Sequence, residues 1–277
     1  MISRLRLRAL FLFFSMILSA RVVAQPAQPA SVWNIDYGER RCALLRQVRG
    51  DALAALSLRM IPGNESPELH FVDPARTRQP FAGVLLVEII FTPSGETLRG
   101  RGSYTRLDSR GPWVLEVNEL PPQFLDRFAE ASAIALRTGS RRLGQMAIPQ
   151  ASAAVRALRQ CNDALLRNWG VDPDARAALQ RQPEIIGRWS DLFSGGDYPE
   201  DVARRGISGM ATVRITVGTD GRISDCAVLV SSGNDLLDRV TCRVLRERAH
   251  LRPALDREGR PVAVTMIQNV GWATPPH

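Results

Sequence analysis

Four cysteines are the residues with the most reactive side chains in this chain of 277 residues, because a thiolate can attack a substrate, bind a metal or form a disulfide. They are Cys42, Cys161, Cys226 and Cys242. No C-x-x-C pair occurs and the three histidines are scattered, so the sequence lacks the ligand spacing of a zinc site. The sequence therefore favours disulfides, for which four cysteines allow three pairings.

The remaining reactive residues do not predict catalysis. His70 has the pattern of a half-buried residue at the end of a strand, and His250 lies on the flank of a predicted helix. The sequence contains no G-x-S-x-G nucleophile motif, no H-E-x-x-H metalloprotease motif and no phosphate-binding loop. We therefore expect a protein that is not an enzyme and that holds neither a cofactor nor a metal.

Residues 1–24 have the three parts of a secretory signal peptide. Three arginines precede an apolar run of 12 residues, Ala9 to Ala20. A helix of that length spans about 18 Å, well short of the ~30 Å hydrocarbon core of a membrane. We expect cleavage after Ala24, a flexible lead over residues 25–31 and a mature protein in the periplasm. The alternative is an uncleaved segment that acts as a single inner-membrane anchor.

The composition of the chain argues against a nucleic-acid partner. Hydrophobic residues make up 45% and charged residues 23% of the chain, an ordinary balance for a globular protein. The formal net charge is +8, but four of the arginines lie in the first 24 residues, which contain no acid. Cleavage would leave about +4, too little to indicate a protein that binds nucleic acid.

Residues 32–170 are predicted to form a periplasmic α+β domain of unknown function, an antiparallel sheet followed by two helices. Short runs of alternating apolar and polar residues, bounded by Gly and Pro, predict strands from Trp33 to about Val117. The first helix is predicted from Pro122 to Thr138, with Gly139 as its stop, and the second from Gln150 to Trp169. Apolar residues of the second helix recur at helical spacing and share one stripe: Val155, Leu158, Cys161, Leu165 and Trp169.

A helical connector over residues 171–196 is predicted to precede a smaller domain, residues 197–277. This domain has the pattern of a short helix, a β-hairpin, a second helix and an edge strand. Asp220-Gly221 supplies the hairpin turn, and polar residues that can cap a helix precede the run from about Asp235 to Leu251. The two domains together predict a chain of the α+β class.

This organisation favours one of the three disulfide pairings. Cys42 belongs to the predicted strands of the first domain, and Cys161 faces the core from the second helix. Cys226 lies on the return strand of the hairpin, and Cys242 lies on the helix that would cover it. We therefore predict the bridges Cys42–Cys161 and Cys226–Cys242, each of which closes within one predicted domain.

A series of short motifs runs through residues 197–272, and their combination is specific although each motif alone is weak. The series consists of Tyr198 and Pro199, then Asp220 and Gly221 at the hairpin turn, then Ser231, Ser232 and Gly233, and finally Arg252-Pro253-Ala254 and Gly259-Arg260-Pro261-Val262. In this order the motifs resemble the C-terminal domain of TonB-type energy transducers. The resemblance covers roughly a quarter of the chain.

The resemblance implies a binding function in TonB-dependent transmembrane transport. Domains of this family capture an extended segment of an outer-membrane receptor, or of another envelope protein, as an added strand at the exposed edge of their sheet, where main-chain N–H and C=O groups are unpaired. Here the expected edge is the last strand, with Thr265, Ile267 and Asn269 facing outward toward the ligand. The alternative is that the connector or the first domain covers this edge. The expected contact residues are Val264, Thr265, Met266, Ile267, Gln268 and Asn269.

Three departures from that family leave other functions open. The apolar run lacks the His that, with a Ser, meets the proton-driven inner-membrane partners in the family. Residues 32–170 replace the usual Pro-rich spacer, and Asp197 stands where a Gln often contacts the receptor. The first two departures count against energy transduction more than against the fold or receptor binding. An anchored energy transducer, which requires an uncleaved N-terminal segment, and a structural envelope connector, similar to the TolA domain of the same fold, are alternatives. A homodimer through exchanged strands also stays open.

Overall fold

Nine antiparallel strands form one sheet, here called the large sheet. The structure is a computed structural model that describes residues 33–47, 55–64, 66–73, 83–106 and 111–273. The predicted signal peptide and lead fall outside the described residues. The strands are β1 (Asn34–Tyr37), β2 (Cys42–Gln47), β3 (Ala55–Met60), β4 (Glu68–Asp73), β5 (Leu85–Thr92), β6 (Thr97–Arg106), β7 (Trp113–Asn118), β8 (Ala133–Thr138) and β9 (Arg141–Ala147). Their order across the sheet is β1-β2-β3-β4-β7-β6-β5-β8-β9.

One face of the large sheet packs against two helices, α1 (Phe124–Glu130) and α2 (Ala151–Asn168). Alternate strand residues point to this face, which buries them, while their neighbours lie on the other side of the sheet. The predicted disulfide between Cys42 and Cys161 is present and joins β2 to α2. The core contains, among others, Leu44, Leu58, Phe71, Ile89, Phe91, Phe124, Phe128, Val155 and Leu158.

The first predicted helix, Pro122 to Thr138, is wrong over most of its length. After the seven residues of α1 the chain forms the hairpin of β8 and β9, in which Ile134 and Leu136 point into the core. The alanines of this segment favour a helix, but burial of apolar side chains at a period of two overrides that propensity. Gly139 has a φ of +53° and forms the turn between the two strands instead of ending a helix.

The rest of the chain passes through short elements into a second sheet. Residues 171–197 contain α3 (Pro173–Ala177), β10 (Glu184–Ile185) and 3₁₀ turns over Trp189–Leu192 and Gly195–Asp197, so the connector predicted as helical is helical only in part. The elements that follow are α4 (Glu200–Arg204), β11 (Gly209–Val217), β12 (Ile223–Val230), α5 (Asp235–Arg248), β13 (Leu251–Arg252), β14 (Ala254–Leu255), β15 (Pro261–Val262) and β16 (Val264–Trp272).

Strands β12, β11 and β16 form the small sheet, in that order, and β16 lies at its edge. Helix α5 covers one face of this sheet and is capped by Asn234, whose side chain accepts hydrogen bonds from the backbone N–H groups of Leu236 and Leu237. The predicted bridge Cys226–Cys242 joins β12 to this helix. Two short antiparallel pairs were not predicted: β10 of the connector pairs with β13, and β14 pairs with β15.

The second face of the small sheet packs against the C-terminal end of α2. Ile267 of β16 forms an apolar cluster with Leu166 and Val171, and Arg214 of β11 donates a hydrogen bond to the carbonyl oxygen of Trp169 at 3.4 Å. Both sheets therefore belong to one compact unit, residues 31–277, and the domain boundaries inferred from the sequence stay a prediction. Among the described helices, none is long and apolar enough to cross a membrane.

The two disulfides are predicted to stabilise the fold to different degrees. They join residues 119 and 16 positions apart, and a longer closed loop loses more entropy in the unfolded chain. Replacing Cys42 and Cys161 together with Ala should lower the free energy of unfolding by about 5 kcal/mol, against about 3 kcal/mol for Cys226 and Cys242. Urea unfolding of the two double variants measures both values, and a larger loss from the shorter loop would contradict this order.

Candidate partner-binding edge

The outer side of β16 presents backbone groups of alternate residues. Ser224 of β12 donates a hydrogen bond to the carbonyl oxygen of Thr216 at 3.3 Å, so the backbone of Thr216 faces β12. Thr216 is the register partner of Thr265 in β16. In an antiparallel ladder, partners whose backbone groups do not face each other alternate with those that do. We infer that Thr265, Ile267 and Asn269 turn their N–H and C=O groups away from β11.

These outward backbone groups are not equally free. In the described part of the chain, no hydrogen bond joins the outer N–H or C=O of Thr265 to another segment. The carbonyl oxygen of Asn269 accepts a hydrogen bond from the side chain of its neighbour Gln268 at 2.9 Å. As far as the described residues go, the end of the edge near Thr265 therefore offers unpaired main-chain groups.

Two cavities lie beside this edge and together form the edge groove. The first has a volume of about 490 Å³ and the second about 400 Å³, within the usual range of ligand pockets. Both touch Gly63, Trp189 and Gln268. The first is otherwise lined by Arg181, Gln182, Pro183, Glu184, Ile185 and Met266, and the second by Asn64, Ser66, Pro67, Glu68, Asn118 and Glu119.

A turn of the large sheet contacts the middle of the same edge. It consists of Pro62, Gly63 and Asn64 between β3 and β4 and is called the β3–β4 turn below. The side-chain amide of Asn269 donates to the carbonyl oxygen of Pro62 at 3.0 Å and to Oδ1 of Asn64 at 3.2 Å. A Cβ atom placed on Gly63 would lie 2.7 Å from the carbonyl oxygen of Ile267. The turn of the large sheet therefore covers part of the predicted binding strand.

The expectation that Ile267 and Asn269 point their side chains toward a ligand is wrong. Ile267 has no exposed surface because it packs on Leu166 and Val171, and the amide of Asn269 is bonded to the β3–β4 turn. Alternation along a strand predicts which residues share a face, but it does not tell whether that face meets solvent or another sheet. Met266 and Gln268, on the opposite face, line the groove instead. That residues 264–269 bind a partner stays a prediction.

Tyr198 with Pro199, and the segment Ser231–Gly233, stabilise the small sheet at the end where β11 begins. The hydroxyl of Tyr198 donates to the carbonyl oxygen of Ile207, and its ring packs edge-on against Trp272 with the centroids 5.4 Å apart. Pro199 directly precedes α4. In the segment of Ser231, Ser232 and Gly233, the carboxylate of Asp238 accepts from the Ser231 hydroxyl at 2.5 Å and from the Ser232 N–H at 2.8 Å.

The hairpin motif also has a structural role. Asp220 accepts the backbone N–H of Arg222 at 3.0 Å, and Gly221 has a φ of +78°. A Cβ atom on Gly221 would lie 1.9 Å from the carbonyl oxygen of Leu251, so only glycine fits between the hairpin and the chain after α5. None of the motif residues lines the edge groove as described. They determine the fold that presents the edge.

Asp197 has a structural role that the sequence did not predict. Its carboxylate is buried and accepts two hydrogen bonds from the Arg248 guanidinium at 2.6 and 2.8 Å, and the N–H and hydroxyl of Ser194 at 2.9 and 2.7 Å. The hydrogen bonds from Arg248 hold the pKa of this carboxyl far below its usual value. The carboxylate therefore joins the connector to α5 and does not face a partner. The S-x-x-D spacing, a variant of a capping box, was the available signal.

The described residues contain no group of three or more His, Cys, Asp or Glu side chains that could hold a metal ion. His70 lies in the interior beside Arg59, whose guanidinium approaches Nε2 at 3.5 Å. Burial lowers the pKa of His70 to about 4, so its imidazole is neutral at the pH of most environments. The side chain of His70 lines neither cavity of the edge groove.

Comparison with known proteins finds a family match over the small sheet. Residues 195–274 match the family model described as Gram-negative bacterial TonB protein C-terminal. The chain is 31% identical over 98 residues to Protein TonB of Pseudomonas putida, and 32% identical over 65 residues to Protein TonB of Helicobacter pylori. These alignments cover 35% and 24% of this chain. They span only 34% and 23% of the relatives' own length.

The buried ion pair of Asp197 should contribute more to the free energy of unfolding than an exposed ion pair of the same segment. Asp197→Asn removes the carboxylate charge that pairs with Arg248 at 2.6 Å and with Arg243 at 3.4 Å, and we expect the free energy of unfolding to fall by about 2 kcal/mol. The matched control is Asp191→Asn, because Asp191 pairs with Arg188 on the surface, where such pairs contribute less than about 1 kcal/mol. Urea unfolding measures both changes, and equal losses would contradict the role given to Asp197.

Proposed function

We propose, on the premise that residues 195–274 are a TonB-type C-terminal domain, that this chain captures an extended segment of an outer-membrane receptor in TonB-dependent transport. The segment adds to β16 as a further strand of the small sheet. The chain acts by binding and not as an enzyme. It works in the periplasm after removal of residues 1–24, and the same edge would serve an inner-membrane transducer if that segment were kept.

The observation that carries the proposal is the unpaired backbone of Thr265 at the open side of an edge strand. Within the described residues, no group of another segment pairs with this N–H and C=O, and an extended peptide can supply main-chain hydrogen bonds to them. Such bonds make little demand on the side chains of the captured segment. The edge groove supplies the room for a peptide beside the strand.

The groove also limits which side chains a captured segment can carry. On the face of Met266 and Gln268, the neighbouring connector contributes Trp189 and Ile185, both partly buried against the core of the small sheet. An apolar side chain of the ligand would contact this wall. Arg181 and Glu184, which also line this cavity and bond to Pro253 and Arg252, would bind polar groups of the next residue. A segment that alternates apolar and polar residues fits this arrangement.

The edge groove could also receive a second copy of β16 in a homodimer, or another envelope protein. A receptor segment is favoured because the domain match is to TonB proteins. Both other occupants would use the same backbone groups of Thr265. They are therefore distinguished by identifying the captured chain and not by mutating the edge.

Removing the outward N–H of Thr265 should abolish capture. We expect Thr265→Pro to fold, because an edge strand tolerates proline where the N–H faces solvent, and to lose at least about tenfold of the captured partner. The measurement is the yield of adduct from a photo-crosslinking amino acid at position 266, in cells that make the chain, with the partner identified by mass spectrometry.

The matched control for this experiment is Thr265→Val. It loses the same hydroxyl, which lies 3.4 Å from that of Thr216, but keeps the N–H. We expect it to retain most of the adduct. Undiminished crosslinking by the proline variant, or an adduct only with a second copy of this chain, would overturn the proposed receptor capture.

A further inference from the structure

The β3–β4 turn stands where an added strand would have to run. A neighbouring strand lies about 4.8 Å from the strand it pairs with, and its N–H groups point at the carbonyl groups of that strand. At Ile267 this place is taken by Gly63, since even a Cβ atom there would approach the carbonyl oxygen to 2.7 Å and the Cβ of Ile267 to 3.0 Å. Gly63 also lies between the two cavities of the edge groove and lines both.

The side chain of Asn269, which is oriented by a hydrogen bond from Thr212, holds the turn at this position. The hydroxyl of Thr212, a buried residue, donates to Oδ1 of Asn269 at 2.8 Å and so fixes the orientation of its amide. The Nδ2 of Asn269 is then directed at the turn, where it donates to Pro62 and Asn64. The contact is therefore made by one amide and by the close approach of a glycine backbone.

We propose that the β3–β4 turn is a displaceable cover on the binding edge, an inference that rests on the proposed function. A partner segment can pair with Thr265 while the turn stays in place. It can extend its pairing past Ile267 only when the turn moves away. The first domain, which lies outside the family match, thereby controls how many main-chain hydrogen bonds a partner forms.

The turn can move without separating the two sheets. The packing that joins them consists of Leu166 and Val171 with Ile267, together with the hydrogen bond from Arg214 to Trp169, and none of these residues belongs to the turn. Asn64 is exposed, and no ion pair joins the turn to β16 within the described residues. The cover therefore depends on the hydrogen bonds of Asn269, the fit of Gly63 and the burial of Pro62. A paired partner strand can replace the hydrogen bonds and cover the same part of the edge.

The test is Gly63→Ala, which places a methyl group against the backbone of Ile267 and forces the turn away from the edge. The matched control is Gly95→Ala in the turn between β5 and β6. Gly95 also has a positive φ, +73° against +91° for Gly63, but a Cβ atom there meets nothing within 4 Å. Both variants carry the same kind of backbone strain, and only the first disturbs β16.

The first readout needs no partner. Hydrogen exchange of the free full-length chain, followed on peptides that contain residues 264–272, should become about tenfold faster at Ile267 in Gly63→Ala and stay unchanged in Gly95→Ala. Asn64→Ala, which removes one hydrogen bond without backbone strain, should give a smaller change in the same direction. Unchanged exchange in both Gly63→Ala and Asn64→Ala would overturn the cover.

The second readout separates this inference from the proposed function. With the photo-crosslinking amino acid at position 266, Gly63→Ala should give a severalfold higher adduct yield than Gly95→Ala, because the uncovered edge forms more hydrogen bonds with the partner segment. Faster exchange together with a raised yield supports the cover and the capture. Faster exchange with no adduct in any variant supports the displaceable cover and overturns the proposed capture of a partner. Faster exchange with a lowered adduct yield overturns the inference that the turn opposes the partner.

Discussion

The packing of Ile267 against Leu166 and Val171 is the contact on which the rest of the structure depends. It buries the second face of the small sheet, while α5 already covers the first face. A sheet that is covered on both faces can recognise another chain only through its edge, where main-chain groups stay unpaired. The same contact places the β3–β4 turn beside β16, because it fixes the large sheet relative to the small one.

Two consequences of this arrangement distinguish the chain from a domain on a flexible spacer. The proposed binding edge is bordered by residues that lie far away in sequence, Gly63 from the large sheet and Trp189 from the connector. The connector in turn is fastened to α5 by Asp197 and Arg248. Residues outside the family match therefore shape the groove, and we expect the selectivity for partners to depend on them as much as on β16.

Local patterns predicted the small sheet well, because its strands alternate at a period of two and Asp220-Gly221 can form a hairpin turn. Both disulfides followed from the same assignment of elements. The segment of β8 and β9 was predicted as a helix, since its alanines favour one and only burial against the large sheet decides otherwise. The cover at Ile267 could not be predicted, because a contact between residues about 200 positions apart leaves no local signal.

The most direct test of an open edge is residue-resolved hydrogen exchange along β16 in the free full-length chain, measured by NMR. Thr265 turns its N–H away from β11, whereas Met266 turns its N–H toward it. We predict that the amide of Thr265 exchanges about a hundredfold faster than that of Met266. Equal protection of the two amides would mean that the outer side of β16 is already paired, which would contradict an edge that is free to bind a partner.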